Sequence, residues 1–206
     1  MSVKTDSSAH EIRVLPAVVV IETSEKAEQM MNGLDQSLLI RLCTARYPEQ
    51  YYPNPLVSVI TSGDEPEIIN SWHIPFRPKR LNLTCRGQNH MHRSLYMAME
   101  EIRCLCRHLE YYEIAYEKPR IYMLCTSEAD DEENGVMKAL RLRTERGICD
   151  FILAVYGTDH EKDCRFSMQI PACVMSFYTP AEGIEWIMND LKRADNSKKE
   201  GCSDRL

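Results

Sequence analysis

Apolar positions along this chain alternate between short unbroken runs and stripes at helical spacing. Residues 14–21 (VLPAVVVI) are one such run, the pattern of a strand covered on both faces. Pro16 has no N–H to donate, so it is expected near the start of that strand. Ala27, Met30, Met31, Leu34, Leu38 and Leu42 then recur at helical spacing and predict a single helix, broken by Pro48, Pro53 and Pro55. Residues 56–61 (LVSVIT) predict a second strand ended by Ser62-Gly63-Asp64, with 68–74 returning beside it as an antiparallel edge strand. The strongest helix covers 91–112, with Leu95, Ala98, Met99, Ile102, Leu105 and Leu109 on one stripe. Residues 121–125, 151–156 and 172–177 predict three more strands, and 136–146 a helix. A closing helix over 181–194 uses Ile184, Ile187, Met188 and Leu191.

Strands separated by helix-length crossovers imply a Rossmann-like α/β sandwich of three layers. Its central sheet has about six strands, mostly parallel with one antiparallel edge, and helices on both faces. Ligands of such sheets meet the loops at the carboxyl ends of the strands, where strand order reverses. The domain is expected over residues 12–194, with a polar arm at 1–11 and a charged tail at 195–206, both expected to be disordered. No internal repeat interrupts this order.

Composition narrows the function classes. The 206 residues are 44% hydrophobic, enough for a sizeable core. A net charge of −6 argues against nucleic-acid binding, and the basic residues Lys138, Arg141, Arg143 and Arg146 read as a solvated helix face. No run approaches the roughly 20 apolar residues that span a bilayer, and the start of the chain lacks a secretion signal. A cytoplasmic location is therefore expected. Nine cysteines, several inside apolar runs such as Leu124-Cys125 and Ala172-Cys173-Val174, fit buried free thiols in a reducing compartment. Cys104 and Cys106 are two apart on a helix, so they point in different directions and cannot chelate together.

Three strand-end loops, taken together, resemble the von Willebrand factor A family. Glu22-Thr23-Ser24-Glu25-Lys26 stands where that family carries Asp-x-Ser-x-Ser. Residues 83–95 (LTCRGQNHMHRSL) are similar to its Gly-Gly-Thr-Pro-Met-Gly-x-x-Leu segment, and 118–132 (KPRIYMLCTSEADDE) to the strand and acidic loop that follow. Within the family the likeness is greatest to a bacterial branch found beside tellurium-resistance genes, and it spans about residues 12–194.

The resemblance implies a protein-binding domain with a metal-ion-dependent adhesion site, in which Asp, Ser and Thr oxygens hold Mg²⁺ or Mn²⁺. Position by position this chain departs from that set. Glu22 replaces the first Asp, Ser24 is kept, Lys26 replaces the second Ser, Asn89 takes the Thr position and Thr126 that of the second Asp. A lysine ammonium offers donors only and repels a dication. The site is accordingly expected to be degenerate and to bind no metal or other cofactor. Lys26 is expected to point into water, the alternative being a pair with Glu22.

Other clusters have plainer readings beside their functional ones. His90 and His92 flank Met91 and could touch a partner or act as a general base. Such histidines are more often polar residues at a helix start, and no hydrolase or phosphate-binding motif accompanies them. The acidic run containing Glu128, Asp130 and Asp131 could present charge to a partner, or complement a helix dipole at ~0.3–1 kcal/mol per residue. Trp72, beside His73 on the edge strand, is an aromatic anchor candidate. The expectation is thus a non-enzymatic adaptor for a protein partner, within a bacterial stress or defence system. A metal-dependent module that rebuilds an oxygen site, and a small-molecule hydrolase using His90 or His92, are the alternatives.

Overall fold

The structure, a computed structural model, describes residues 13–34, 36–44, 54–72, 83–126, 135–157 and 173–193. The elements are β1 (Arg13–Glu22), a 3-10 turn (Glu25–Ala27), α1 (Glu28–Asn32), α2 (Gln36–Thr44), β2 (Asn54–Ser62), β3 (Ile68–Asn70) and α3 (Met91–Tyr111). They continue with β4 (Ala115–Tyr116), β5 (Arg120–Cys125), α4 (Val136–Glu145), β6 (Asp150–Tyr156), β7 (Cys173–Phe177) and α5 (Pro180–Arg193). The sheet runs β3-β2-β1-β5-β6-β7, and β4 pairs β1. Pairing is parallel except between β2 and β3. This is the mostly parallel sandwich with one antiparallel edge that the hydrophobic pattern predicts.

Alternation along the strands divides the core in two. Leu15, Ala17, Val19 and Ile21 of β1 face Leu38, Leu39, Leu42, Ile184, Ile187 and Leu191 on α2 and α5. Val18 and Val20 face Met91, Leu95, Ala98 and Ile102 of α3, and Met137 and Leu140 of α4. The stripe read on α3 is the buried one, joined by Met91 and Ser94. β1 lies at the centre because both of its faces are apolar, and its residues from Val14 to Ile21 are all buried.

Three local features differ from the expectation. The single helix expected after β1 is a 3-10 turn and two short helices, because α1 stops at Gly33, whose missing side chain weakens helical conformation. Pro16 is the fourth residue of β1, opposite Leu56 of β2. On the other side it falls between the residues paired with β4 and those paired with β5, where that ladder is already interrupted. Cys173, read as part of a buried run, is exposed at the sheet edge formed by β7. Residues 1–12 and 194–206, which contain the expected arm and tail, lie outside the described residues.

The amino edge of the sheet is held by polar contacts. Arg120, the first residue of β5, donates to the Asp190 carboxylate of α5 at 2.8 Å, and the Tyr122 hydroxyl donates to the same oxygen at 2.7 Å. Arg13, the first residue of β1, pairs with Glu117 at 2.7 Å. A third apolar cluster closes the same edge, where Val14, Leu105 and Leu109 are covered by Trp72 and Tyr116.

Two outcomes follow from this packing. Leu95→Ala is expected to cost about 2–5 kcal/mol in urea unfolding, whereas Tyr96→Ala at the next, exposed position is expected to cost under about 0.5 kcal/mol. Burial pushes the thiols of Cys43 and Cys149 up to about 12 and about 11. In native protein at pH 8, Cys104 and Cys173 should therefore label with a thiol reagent well before Cys43 and Cys149. Because the folded values lie above the unfolded ones, these two groups favour folding below about pH 9. Their contribution is lost as pH rises through 11 to 12, measurable as a falling urea midpoint.

Candidate functional site

Chain order reverses beside β1. β2 lies on one side of it, and the connection through α3 crosses back to place β5 on the other. The carboxyl ends of β1 and β5, with the amino end of α3, therefore meet at one point, the position where parallel sheets gather ligand loops. Glu22 is the last residue of β1, Thr126 follows β5, and Asn89 precedes α3.

The Glu22 side chain is fully buried at that point. Its Oε1 accepts from the Ser24 hydroxyl at 2.5 Å. Its Oε2 accepts from the Thr126 amide at 2.6 Å and from the Thr126 hydroxyl at 3.1 Å. A carboxylate taken out of water is costly unless its oxygens find donors, and both of these oxygens do. Asn89, also fully buried, accepts at Oδ1 from the Ser62 hydroxyl at 2.8 Å. Ser24, Ser62 and Ser94 are equally buried, and Ser94 donates to the carbonyls of His90 and Thr61. Four chain segments thus share one polar cluster.

Main-chain bonds hold the loops in register. The Thr23 amide donates to the Ser62 carbonyl, the Arg86 amide to the Thr23 carbonyl, and the Glu25 amide to the Gly87 carbonyl, at 2.9–3.1 Å. The Asp64 carboxylate accepts from the Gln88 amide at 3.1 Å. Gly87 has φ +66°, and a Cβ there would lie about 2 Å from the Asp64 carboxyl, so glycine is required twice over. At Gly63 a Cβ would stand 2.7 Å from Thr23 Oγ1.

The structure separates the sequence-derived candidates. Glu22, Ser24, Asn89 and Thr126 are brought together within this cluster. Lys26 lies in the 3-10 turn with an exposed side chain, next in the loop to that cluster. His90 stands at the N-cap position of α3 without a side-chain capping bond, and His92 lies in its first turn, so the two do not project from an extended segment. Trp72 is remote. It packs with Leu105 and Leu109 at the amino edge of the sheet, and its ring lies 5.0 Å from that of His108. The antiparallel β3, in the direction the pattern predicts, carries the chain away from the loops. Asp130 and Asp131 lie outside the described residues.

Ser62, Gly63, Asp64 and Thr23 were legible only as a strand end and a loop position, yet all four shape this edge. The signal that could have marked them is the glycine after a buried strand, which often records close backbone approach. A cleft of about 320 Å³ opens beside the cluster, between the ends of β2 and β3 and the segment 83–86, with Thr23 in its wall. Among the described residues no group of three or more His, Cys, Asp or Glu is arranged to hold a metal ion, and no helix is long and apolar enough to cross a membrane.

This topology, with its loop cluster at the carboxyl edge, is the von Willebrand factor A-type fold. The chain is similar in structure to a von Willebrand factor type A protein from Catenulispora acidiphila, with a TM-score of 0.58 and 12% identity over 88% of this chain and 42% of that one. It is also similar to proximal thread matrix protein 1 from the mussel byssus, with a TM-score of 0.54 and 11% identity over 88% of this chain and 46% of that one. At such identities the likeness is one of fold, and the chain spans less than half the length of either neighbour. No family model and no curated protein matches the sequence.

Replacing Glu22 with Ala would leave the Ser24 hydroxyl and the Thr126 amide and hydroxyl without their acceptor, at about 2–4 kcal/mol in urea unfolding. Glu22→Gln, which turns an amide toward one set of donors, should lose about 1–3 kcal/mol. An unchanged midpoint in both variants would remove Glu22 as the tie between β1 and β5.

Proposed function

We propose that this chain is a non-enzymatic protein-binding module of the von Willebrand factor A type, in which internal hydrogen bonds replace the metal ion. The observation that carries this reading is the Glu22 carboxylate, buried and engaged at both oxygens by Ser24 and Thr126. A hard dication such as Mg²⁺ needs a near-octahedral shell of free oxygens. Here the Ser24 hydroxyl is committed to Glu22, and Asn89 Oδ1 accepts from Ser62. Lys26 adds a positive charge at the loop. The residues at this position do not fit the ion.

The binding surface in this reading is the carboxyl edge of the sheet, formed by the loops after β1 and β2 and the segment before α3. Contact with a partner then rests on direct hydrogen bonds and apolar anchors, with no metal bridge. The resemblance of these loops to the tellurium-resistance branch supports a place in a bacterial stress or defence system.

Titration calorimetry with Mg²⁺ and Mn²⁺ should give no binding in the micromolar range, and capture of a partner from native lysate should survive EDTA. Capture should fall in a Lys26→Glu/Arg86→Glu variant that retains its melting temperature. Micromolar Mg²⁺ affinity that Glu22→Gln abolishes would establish the metal-dependent module instead.

A further inference from the structure

A second cleft, of about 290 Å³, lies between α3 and α4 near the amino edge of the sheet. Its floor is apolar, formed by the buried side chains of Met99, Ile102, Ile121 and Cys149. The turn that ends α4 builds one rim. Gly147, at φ +66°, takes the left-handed conformation that closes a helix, and the Ile148 amide donates to the Arg143 carbonyl at 2.9 Å. That bond brings an apolar and a cationic side chain to the same rim, and Ile148 is left 51% exposed.

The charges around this floor are unbalanced. Arg103, Arg107 and Arg143 line the cleft with one carboxylate, Glu110, which accepts from the Tyr116 hydroxyl at 2.8 Å. On a chain of net charge −6 this is a local excess of positive charge. Nearby cations have acids beside them, Arg103 with Glu100, Lys118 with Asp150 and Arg141 with Glu145. Among the described residues Arg107 and Arg143 form no ion pair. Arg143 is half-buried, and its Nη1 lies 3.2 Å from the Met99 sulfur, a weak acceptor. Its charge also reaches the Cys149 thiol on the floor, where it opposes the upward push of burial.

An apolar floor with a few convergent polar groups is the usual make-up of a small-molecule site. Here the polar groups are guanidiniums, whose planar fork matches a carboxylate. An inorganic anion would leave the floor uncovered, and a neutral apolar molecule would leave Arg143 facing a thioether. The volume stands at the lower end of the ~300–1,000 Å³ common for such sites, so the apolar part is short. We propose that this cleft binds a small organic acid, a carboxylate carried on a short aliphatic chain or a single ring. Such a ligand would touch α3, α4 and the start of β5 together. The site is separate from the loop edge at the carboxyl ends of the strands, and the inference does not depend on what that edge binds.

The test follows amide chemical shifts of the isotope-labelled full chain during titration with sodium octanoate below its micelle threshold. Octanol, octylammonium chloride and sodium acetate are the parallel probes. Octanoate should give saturable shifts centred on Ile102, Arg143 and Cys149, with an affinity roughly tenfold above that of octanol. Octylammonium and acetate should give no saturable shifts there. Arg107→Gln/Arg143→Gln should lower octanoate affinity to the level of octanol at an unchanged melting temperature. Lys138→Gln/Arg141→Gln, which removes the same charge from exposed positions of α4 outside the cleft, should leave it unchanged. Ile148→Ser should weaken octanoate and octanol alike. Octanoate shifts that do not saturate or that spread over the whole surface would overturn the assignment. So would equal affinity for octanoate and octanol, or octanoate affinity undiminished in the Arg107→Gln/Arg143→Gln variant.

Discussion

A carboxylate removed wholly from water is one of the least tolerant groups in a protein, because losing any of its donors leaves a desolvated acceptor that no solvent can reach. Glu22 occupies that position where β1 and β5 end. Its bond from the Thr126 main chain joins residues 104 apart in sequence, across the gap from which sheets of this kind ordinarily present their loops. The loops after β1 and β2 and before α3 are in turn tied to one another by the amides of Thr23, Glu25 and Arg86. The geometry of the carboxyl edge therefore depends on whether that one carboxylate keeps its donors.

The proposed module would keep the loop architecture of this fold while holding its strand ends by other chemistry. An octahedral ion and a buried carboxylate with hydroxyl donors are two ways to hold strand ends together, one ionic and exchangeable, the other internal. The first offers the partner an open coordination position. The second has no open position to offer, because Ser24 and Thr126 already engage both Glu22 oxygens. Both devices are compatible with the same sheet.

Hydrophobic pattern carried most of the fold because the sheet is covered on both faces. A run such as VVVI has no polar position to confuse it, and the α3 stripe is long enough for its period to be unambiguous. Short-range breaks were less legible. Gly33 divides a stripe whose apolar spacing continues past it, and the two-residue β4 has no pattern of its own. Within the site, the sequence could place Glu22, Ser24, Asn89 and Thr126 in neighbouring loops. It could not show that a main-chain amide would supply one of the bonds to Glu22, since every residue except proline carries that donor. Trp72 was legible as an aromatic on an antiparallel edge strand, and that direction, which the structure bears out, returns the chain to the amino edge, away from the loops.

β1 begins at Arg13, and α5 brings Asp190 to the first residue of β5, so both ends of the described domain leave it at the amino edge of the sheet. The loop cluster lies at the other edge, a β1 length away, about 30 Å at the usual rise for ten extended residues. Any tether, tag or neighbouring domain attached before Arg13 or after Arg193 therefore starts from the far side of the molecule. A chain fastened from that side would keep its loop edge facing outward.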